Sequence, residues 1–210
     1  AGISPVVVSD ELFYLIKRCI KVSELTDGAF DISWAAARNI WKFDGSMKSI
    51  PKQETLDSLA EIIDYKNIIL NETDKSVFLS EKGMAIGLGA VGKGYAANCC
   101  KNVLKKIGIE NGIVIAGGDL IAWGTPDSQN LWNIGIANPD NPENALAWFE
   151  IEPMAVVTSG DYEHFVEFDG KRYSHIINPQ TAFPVENNLR SVTIICPDAE
   201  IADALATSVF

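Results

Sequence analysis

Apolar residues in this chain recur at two periods, and the switches between them mark out its elements. Leu12, Leu15, Ile16 and Cys19 form a helical stripe behind Ser9, a good N-cap, with Asp10 and Glu11 favourably placed in the first turn; Thr26-Asp27-Gly28 stops it. Leu56, Leu59, Ala60 and Ile63 make a second stripe after Pro51, where a first helical turn tolerates proline. A third, Tyr95, Cys99, Val103 and Ile107, is spaced for burial and ends at Gly108, and a fourth, Ile201, Ala202, Leu205, Ala206 and Val209, starts behind Pro197-Asp198.

The stretches between read as strands. Phe30 and Ile32 alternate like a short strand ahead of a helical turn over 35–40, which the Asp44-Gly45 breaker ends. Strands over 67–70 and 77–79 flank the polar loop 71–75, and 84–88 predicts a strand running into a glycine-rich turn. Residues 113–116 and 120–123 are strands interrupted by Gly117-Gly118-Asp119, a sequence that permits a bulge, while 132–136 and 145–151 surround a solvent-suited loop over 138–144. Val156 and Val157 lead into a hairpin: Phe165–Phe168, a turn at Asp169-Gly170 that tolerates positive φ, then Arg172–Ile177. Val192–Ile195 is the last strand. Trp34, Trp41 and Phe43 read as core.

Composition narrows the function more than the fold. With 210 residues, 47% apolar and 21% charged, the chain has enough to bury one sizeable core or two small ones. A net charge of −11 without clustered Lys and Arg argues against nucleic acid, and a polyphosphate ligand would need a metal or backbone donors. No membrane-length apolar run or signal peptide is visible. The chain begins without methionine and ends at Phe210 inside an apolar-periodic segment, so it reads as a fragment. Cys19, Cys99, Cys100 and Cys196 lack zinc or disulfide spacing and read as small packing residues.

Four places carry candidate chemistry, each with a bland reading beside the sharp one. His164 and His175 both lie in the hairpin segment; His175 leaves it just before Asn178-Pro179, where a side chain reaches a ligand or is held as a structural histidine. Gly89-Ala90-Val91-Gly92-Lys93-Gly94 opens a helix, an arrangement that aims backbone N–H groups at an anion or packs a helix tightly. Asp203 and Thr207, four apart on the last helix, offer two oxygens to a hard cation or face solvent. Asp119 is a turn residue or a ligand-facing carboxylate.

Taken together, DGAFD at Asp27–Asp31, GAVGKGYAA at Gly89–Ala97, AGGD at Ala116–Asp119, and SGDYEHFVEFDGKRYSHIINPQTAFPV with the later DALATSVF resemble the ApbE family, the FAD:protein FMN transferases, in order and spacing over nearly the whole chain. The resemblance implies a single α+β domain over 1–210, with a mostly antiparallel sheet core flanked by helices. It lacks the family's N-terminal segment, which helps hold flavin, and its C-terminal strand. It implies Mg²⁺-dependent transfer of FMN from FAD to a threonine hydroxyl of an acceptor protein, such as a subunit of a membrane redox complex, with release of AMP. A FAD pyrophosphatase and a flavin-binding or assembly protein without turnover are the competing readings. By motif match the metal ligands are Asp203, Thr207 and the Ala90 carbonyl; His175 is the catalytic base; Gly117, Gly118, Asp119, Ser159 and Lys93 are nucleotide contacts; His164 is structural. The family's usual location is the bacterial cell envelope, often through a lipid anchor. The chain departs from the family pattern at Gly87, where an Asp is usual, at Ala182, where a Gly is usual, and at Ser33–Ala37, which lacks the usual Gly-Pro.

Overall fold

The computed structural model describes residues 1–126, 131–161 and 164–210, and for Pro142 the backbone alone. They separate into two compact units, Ala1–Leu88 with Glu163–Asn187, and Gly89–Tyr162 with Asn188–Phe210.

The first unit opens with β1 (Val6–Val7) and α1 (Asp10–Leu25), whose cap is Ser9: its Oγ accepts from Leu12 N at 3.2 Å. Phe13, Ile16 and Cys19 bury the stripe, and Asp27 and Gly28 leave the helix at φ 51° and 79°. Phe30 and Ile32 are both buried but form no strand; the helical turn predicted over 35–40 is present as part of a 3₁₀ helix, Ile32–Asn39, that already begins at Ile32. Asp31 decides this by capping it, accepting from Ser33 N at 2.8 Å and Ser33 Oγ at 2.7 Å. After α2 (Gln53–Ala60), β2 (Ile68–Asn71) and β3 (Ser76–Leu79) form an antiparallel hairpin that β1 extends to a sheet of order β1-β3-β2.

The second unit begins at the glycine turn. Residues 84–88 before it are not a strand; one backbone bond, Gly87 N–H to the Ile32 carbonyl at 2.8 Å, ties them to the first unit's own 3₁₀ helix. Then come α3 (Gly92–Lys106), β4 (Gly112–Ala116), β5 (Asp119–Trp123), β6 (Trp132–Asn138), β7 (Asn141–Ile151) and β8 (Ala155–Gly160). β4 and β5 are a hairpin rather than one bulged strand: Ala116 pairs with Asp119, and Gly117 and Gly118 at φ 59° and 95° supply the two positive-φ residues of the turn. The expected loop over 138–144 is mostly ladder as well. β6 and β7 continue to an Asn138–Asn141 pair, and the Asn138 side chain closes the turn by accepting from Asp140 N at 2.9 Å.

The chain then returns to the first unit for β9 (Phe165–Phe168), β10 (Lys171–Ser174), β11 (Ile177–Asn178) and β12 (Phe183–Pro184). Asp169 and Gly170 have the positive φ their turn predicts, 51° and 74°. Trp41, Tyr173, Ile177, Val166 and Ala182 form the buried cluster here, with Trp34 and Phe43 packed against it. β13 (Ser191–Cys196) and α4 (Ala199–Val209) complete the second unit.

The second unit's sheet has order β13-β8-β5-β4, all antiparallel, and its strands alternate between two faces. Ile121, Ala155 and Val157 pack under Ala97 of α3 and Ala199, Ala202 and Ala206 of α4, while Val156 and Leu120 pack with Ile134 and Ile151 of the β6–β7 hairpin. Val103 and Ile107, predicted buried, are 58% and 70% exposed. The buried face of α3 is its small-residue side, Gly94 and Ala97, because close approach to α4 selects small residues over large apolar ones. Cys19 is buried, Cys99 and Cys196 are half-buried, and Cys100 is exposed instead of packed; none of the four is in a disulfide. Among the described residues no helix is long and apolar enough to cross a membrane. Mixed helices and antiparallel sheets make this an α+β fold.

Candidate active site

The second unit gathers its chemistry where α3 begins against α4. A Cβ on Gly94 would sit 2.1 Å from the Ala199 carbonyl oxygen, so glycine is what allows the two helices to touch. Asp198 locks the contact from the other side: its Oδ1 caps α4 by accepting from Glu200 N and Ile201 N at 3.0 and 3.2 Å, and from Asn98 Nδ2 of α3 at 2.9 Å. This brings Asp203, fully buried, onto the N-terminal turn of α3. Its Oδ2 accepts from Gly94 N at 3.0 Å, and its Oδ1 accepts from Lys93 Nζ at 3.1 Å. A carboxylate at a helix N-terminus also meets the positive end of the helix dipole.

One turn along α4, the Thr207 hydroxyl donates to the Asp203 carbonyl at 3.3 Å and lies 3.4 Å from Ser159 Oγ of β8. Ala90 sits in the turn leading into α3, half-buried. Asp203, Thr207, Ser159 and the start of α3 therefore form one locality.

Asp119 joins them from the β4–β5 hairpin. Its side chain is 1% exposed, and Lys93 Nζ lies 3.0 Å from its Oδ2, bridging the two buried carboxylates. That ammonium is the charge partner of Oδ2, which has no other side-chain donor beside it. Burial, and then the neighbouring Asp203 carboxylate, push the Asp119 carboxyl up to about 6 against the pull of Lys93. Burial pushes the Lys93 ammonium down, but Asp203 and Asp119 outweigh it and leave it above the ordinary lysine value. Gly117 makes room for this lysine, since a Cβ there would lie 3.1 Å from Lys93 Cδ. Gly118 completes the same turn.

These residues fit a hard divalent cation. The donors are all oxygen: the Asp203 carboxylate, the Thr207 hydroxyl one turn along α4, and the backbone carbonyls of the turn into α3. Among the described residues no three His, Cys, Asp or Glu side chains stand together as a metal cluster, so a cation here would draw on hydroxyl, backbone, water and phosphate oxygens.

The histidines belong to the first unit. His175 leaves β10 half-buried; its N–H donates to the His164 carbonyl at 3.0 Å, and its Nδ1 lies 3.1 Å from that same oxygen. A carbonyl oxygen only accepts, so Nδ1 is the donor in this contact. The His175 ring meets two others edge-on, His164 at 5.4 Å and Phe43 at 6.4 Å, which fixes the plane of its imidazole. His164 is thus structural, and through its backbone it orients His175. The DGAFD segment lines a cavity of about 280 Å³ with Asp64, Tyr65 and Lys66. Asp31 is fully engaged there: Oδ1 holds Ser33, and Oδ2 accepts from Tyr65 N at 2.8 Å.

Sequence reasoning missed the Lys93 bridge and the Asn98–Asp198 lock. Both join residues about a hundred positions apart, and the one local signal was the helix-capping Asp198.

The ApbE family model matches residues 1–210. Relatives include the FAD:protein FMN transferase of Klebsiella pneumoniae, 34% identical over all of this chain and 65% of its own length. That of Treponema pallidum is 33% identical over all of this chain and 62% of its own length. The chain thus spans less than two thirds of these curated relatives. Among solved structures, the ApbE protein of Thermotoga maritima superposes with a TM-score of 0.91 at 34% identity, covering 99% of this chain and 67% of that one. The flavinyl transferase ApbE of Pseudomonas stutzeri, in its apo form, gives 0.86 at 28% identity, covering 100% and 65%. By the family match along its whole length, and by the fold it shares with these structures, the chain belongs to the ApbE family.

Proposed function

We propose that this chain carries the transfer chemistry of an FAD:protein FMN transferase, moving FMN from FAD to a threonine hydroxyl of an acceptor protein and releasing AMP. The observation that carries the reading is the locality at the start of α3, where Asp203, Thr207 and Ser159 meet backbone N–H and a lysine. Asp203 and Thr207, with the Ala90 carbonyl, would hold Mg²⁺. Bound there, the ion would neutralise the pyrophosphate and stabilise charge on the departing AMP.

The chain's own residues supply the rest. The attacking threonine oxygen forms a bond to the FMN phosphorus as the phosphorus–oxygen bond to AMP breaks, and AMP keeps the bridging oxygen. The threonine proton goes to the imidazole of His175, which acts as general base. Ser159, 3.4 Å from the Thr207 hydroxyl, and the Gly117-Gly118 turn, against the Lys93 stem, would contact the nucleotide.

The test is mass spectrometry of an acceptor domain incubated with the full-length protein, FAD and Mg²⁺. One added FMN per acceptor, lost with chelator and lost in His175→Asn, is expected. FMN and AMP formed without any acceptor would replace the reading with FAD hydrolysis. Tight FAD binding with no AMP release would replace it with a flavin-binding role.

A further inference from the structure

We propose that Lys93 is a resident counter-ion, one that surrenders Asp203 to an arriving divalent cation and withdraws onto Asp119. This rests on the reading that Asp203 and Thr207 hold the cation. Two buried carboxylates share one ammonium, with Nζ 3.0 Å from Asp119 Oδ2 and 3.1 Å from Asp203 Oδ1. Without that ammonium, two ionised groups would face each other out of water, a costly arrangement unless paired. With it, a cation approaching Asp203 meets a like charge on the same carboxylate, and the repulsion is strong at this range. The ammonium and the cation therefore exclude each other at Asp203.

The surroundings suit an exchange more than a fixed bridge. Lys93 is 35% exposed although both of its partners are buried, so its head is already at the edge of the site. Its stem passes Gly117, where no side chain confines it; a Cβ there would press on Cδ at 3.1 Å. Asp119 Oδ2 already lies 3.0 Å from the ammonium and has no competing donor, so it can keep the lysine once Asp203 is given up. Asp203 keeps its bond from Gly94 N throughout, so the carboxylate stays aimed while its partner changes.

The experiment is Mn²⁺ binding to the flavin-free protein, read by electron paramagnetic resonance of free Mn²⁺, in wild type, Lys93→Met, Asp119→Asn and Asp203→Asn, with cooperative thermal melting confirming each fold. Removing the competitor in Lys93→Met is expected to tighten Mn²⁺ binding about tenfold, and removing its resting place in Asp119→Asn to weaken it at least threefold. Equal or weaker binding by a folded Lys93→Met protein overturns the proposal. Should that variant not fold, unchanged or tighter binding by Asp119→Asn overturns it instead. Binding to wild type that Asp203→Asn abolishes upholds the cation site whichever way the exchange turns out. No binding by any form refutes the cation site and the exchange with it.

Discussion

Gly94→Ala puts the helix contact at the centre of the site to a direct test. The new Cβ would lie 2.1 Å from the Ala199 carbonyl oxygen, 2.5 Å from its carbon and 2.8 Å from Glu200 Cα, all backbone atoms that cannot rotate away. α3 and α4 must therefore separate. Overpacking of this kind costs about 1–3 kcal/mol. Separation also stretches the 3.0 Å bond from Gly94 N to Asp203, and leaving a buried carboxylate short of a donor costs about 1–3 kcal/mol more. Alanine returns about 1 kcal/mol of helix propensity. The net expectation is a loss of about 3 kcal/mol, or about 6–12 °C in Tm for a chain of this length. Gly92 provides the control, because a Cβ there meets nothing within 4 Å, so Gly92→Ala should be neutral or slightly stabilising. Urea unfolding followed by tryptophan fluorescence measures both. A Gly94→Ala protein within about 0.5 kcal/mol of wild type would refute the packing reasoning, since that is less than any single cost invoked.

Asp119 makes a prediction with a definite sign. Its folded pKa of about 6 lies above the ordinary 3.8, so the folded state binds the extra proton between those values, and this residue's contribution to stability falls as pH rises through that window. In chelator, wild type should lose up to about 3 kcal/mol relative to Asp119→Asn between pH 4 and 7; a gain would contradict it. Asp31→Ala removes three hydrogen bonds, two from Ser33 and one from Tyr65 N, and should cost about 2–4 kcal/mol by urea titration. Ala182 is fully buried at φ 51°, with its carbonyl accepting from Trp41 Nε1 at 2.8 Å. Relief of about 1–2 kcal/mol of left-handed strain in Ala182→Gly is offset by a lost buried methyl of about 0.8 kcal/mol plus its cavity, so the variant should stay within about 1 kcal/mol of wild type. A loss of several kcal/mol would show that the methyl, not the backbone, matters.

Where a contact lies close along the chain, the sequence was a reliable guide. Ser9 capping α1, Asp198 capping α4 and the Asp169-Gly170 turn all depend on residues within three or four positions, and each is found. Where burial depends on a distant partner, the period misled. Val103 and Ile107 have the right spacing for a core stripe, yet α3 turns Gly94 and Ala97 inward because α4 passes too close for larger side chains. Phe30 and Ile32 alternate and are both buried, but the Asp31 carboxylate between them bonds to Ser33 and starts at Ile32 the 3₁₀ helix whose later part the sequence predicts.

The same division runs through the candidate site. Asp203 and Thr207 could be paired from their spacing because one helical turn brings them together, and the structure adds a hydroxyl bond between them. The Lys93 link to Asp203 spans 110 residues, and no local pattern encodes it. Its consequence is the larger one. A glycine-rich turn before a helix suggests an anion held by bare N–H groups, but here the nearest N–H, Gly94, and the nearest cation, Lys93, are already committed to a carboxylate of the protein itself. An anion arriving at this turn would meet a cluster with two acidic groups and one basic one. A pyrophosphate would therefore need a further positive charge to bind, which is why Asp203, rather than the glycines, is the residue on which the proposed chemistry depends.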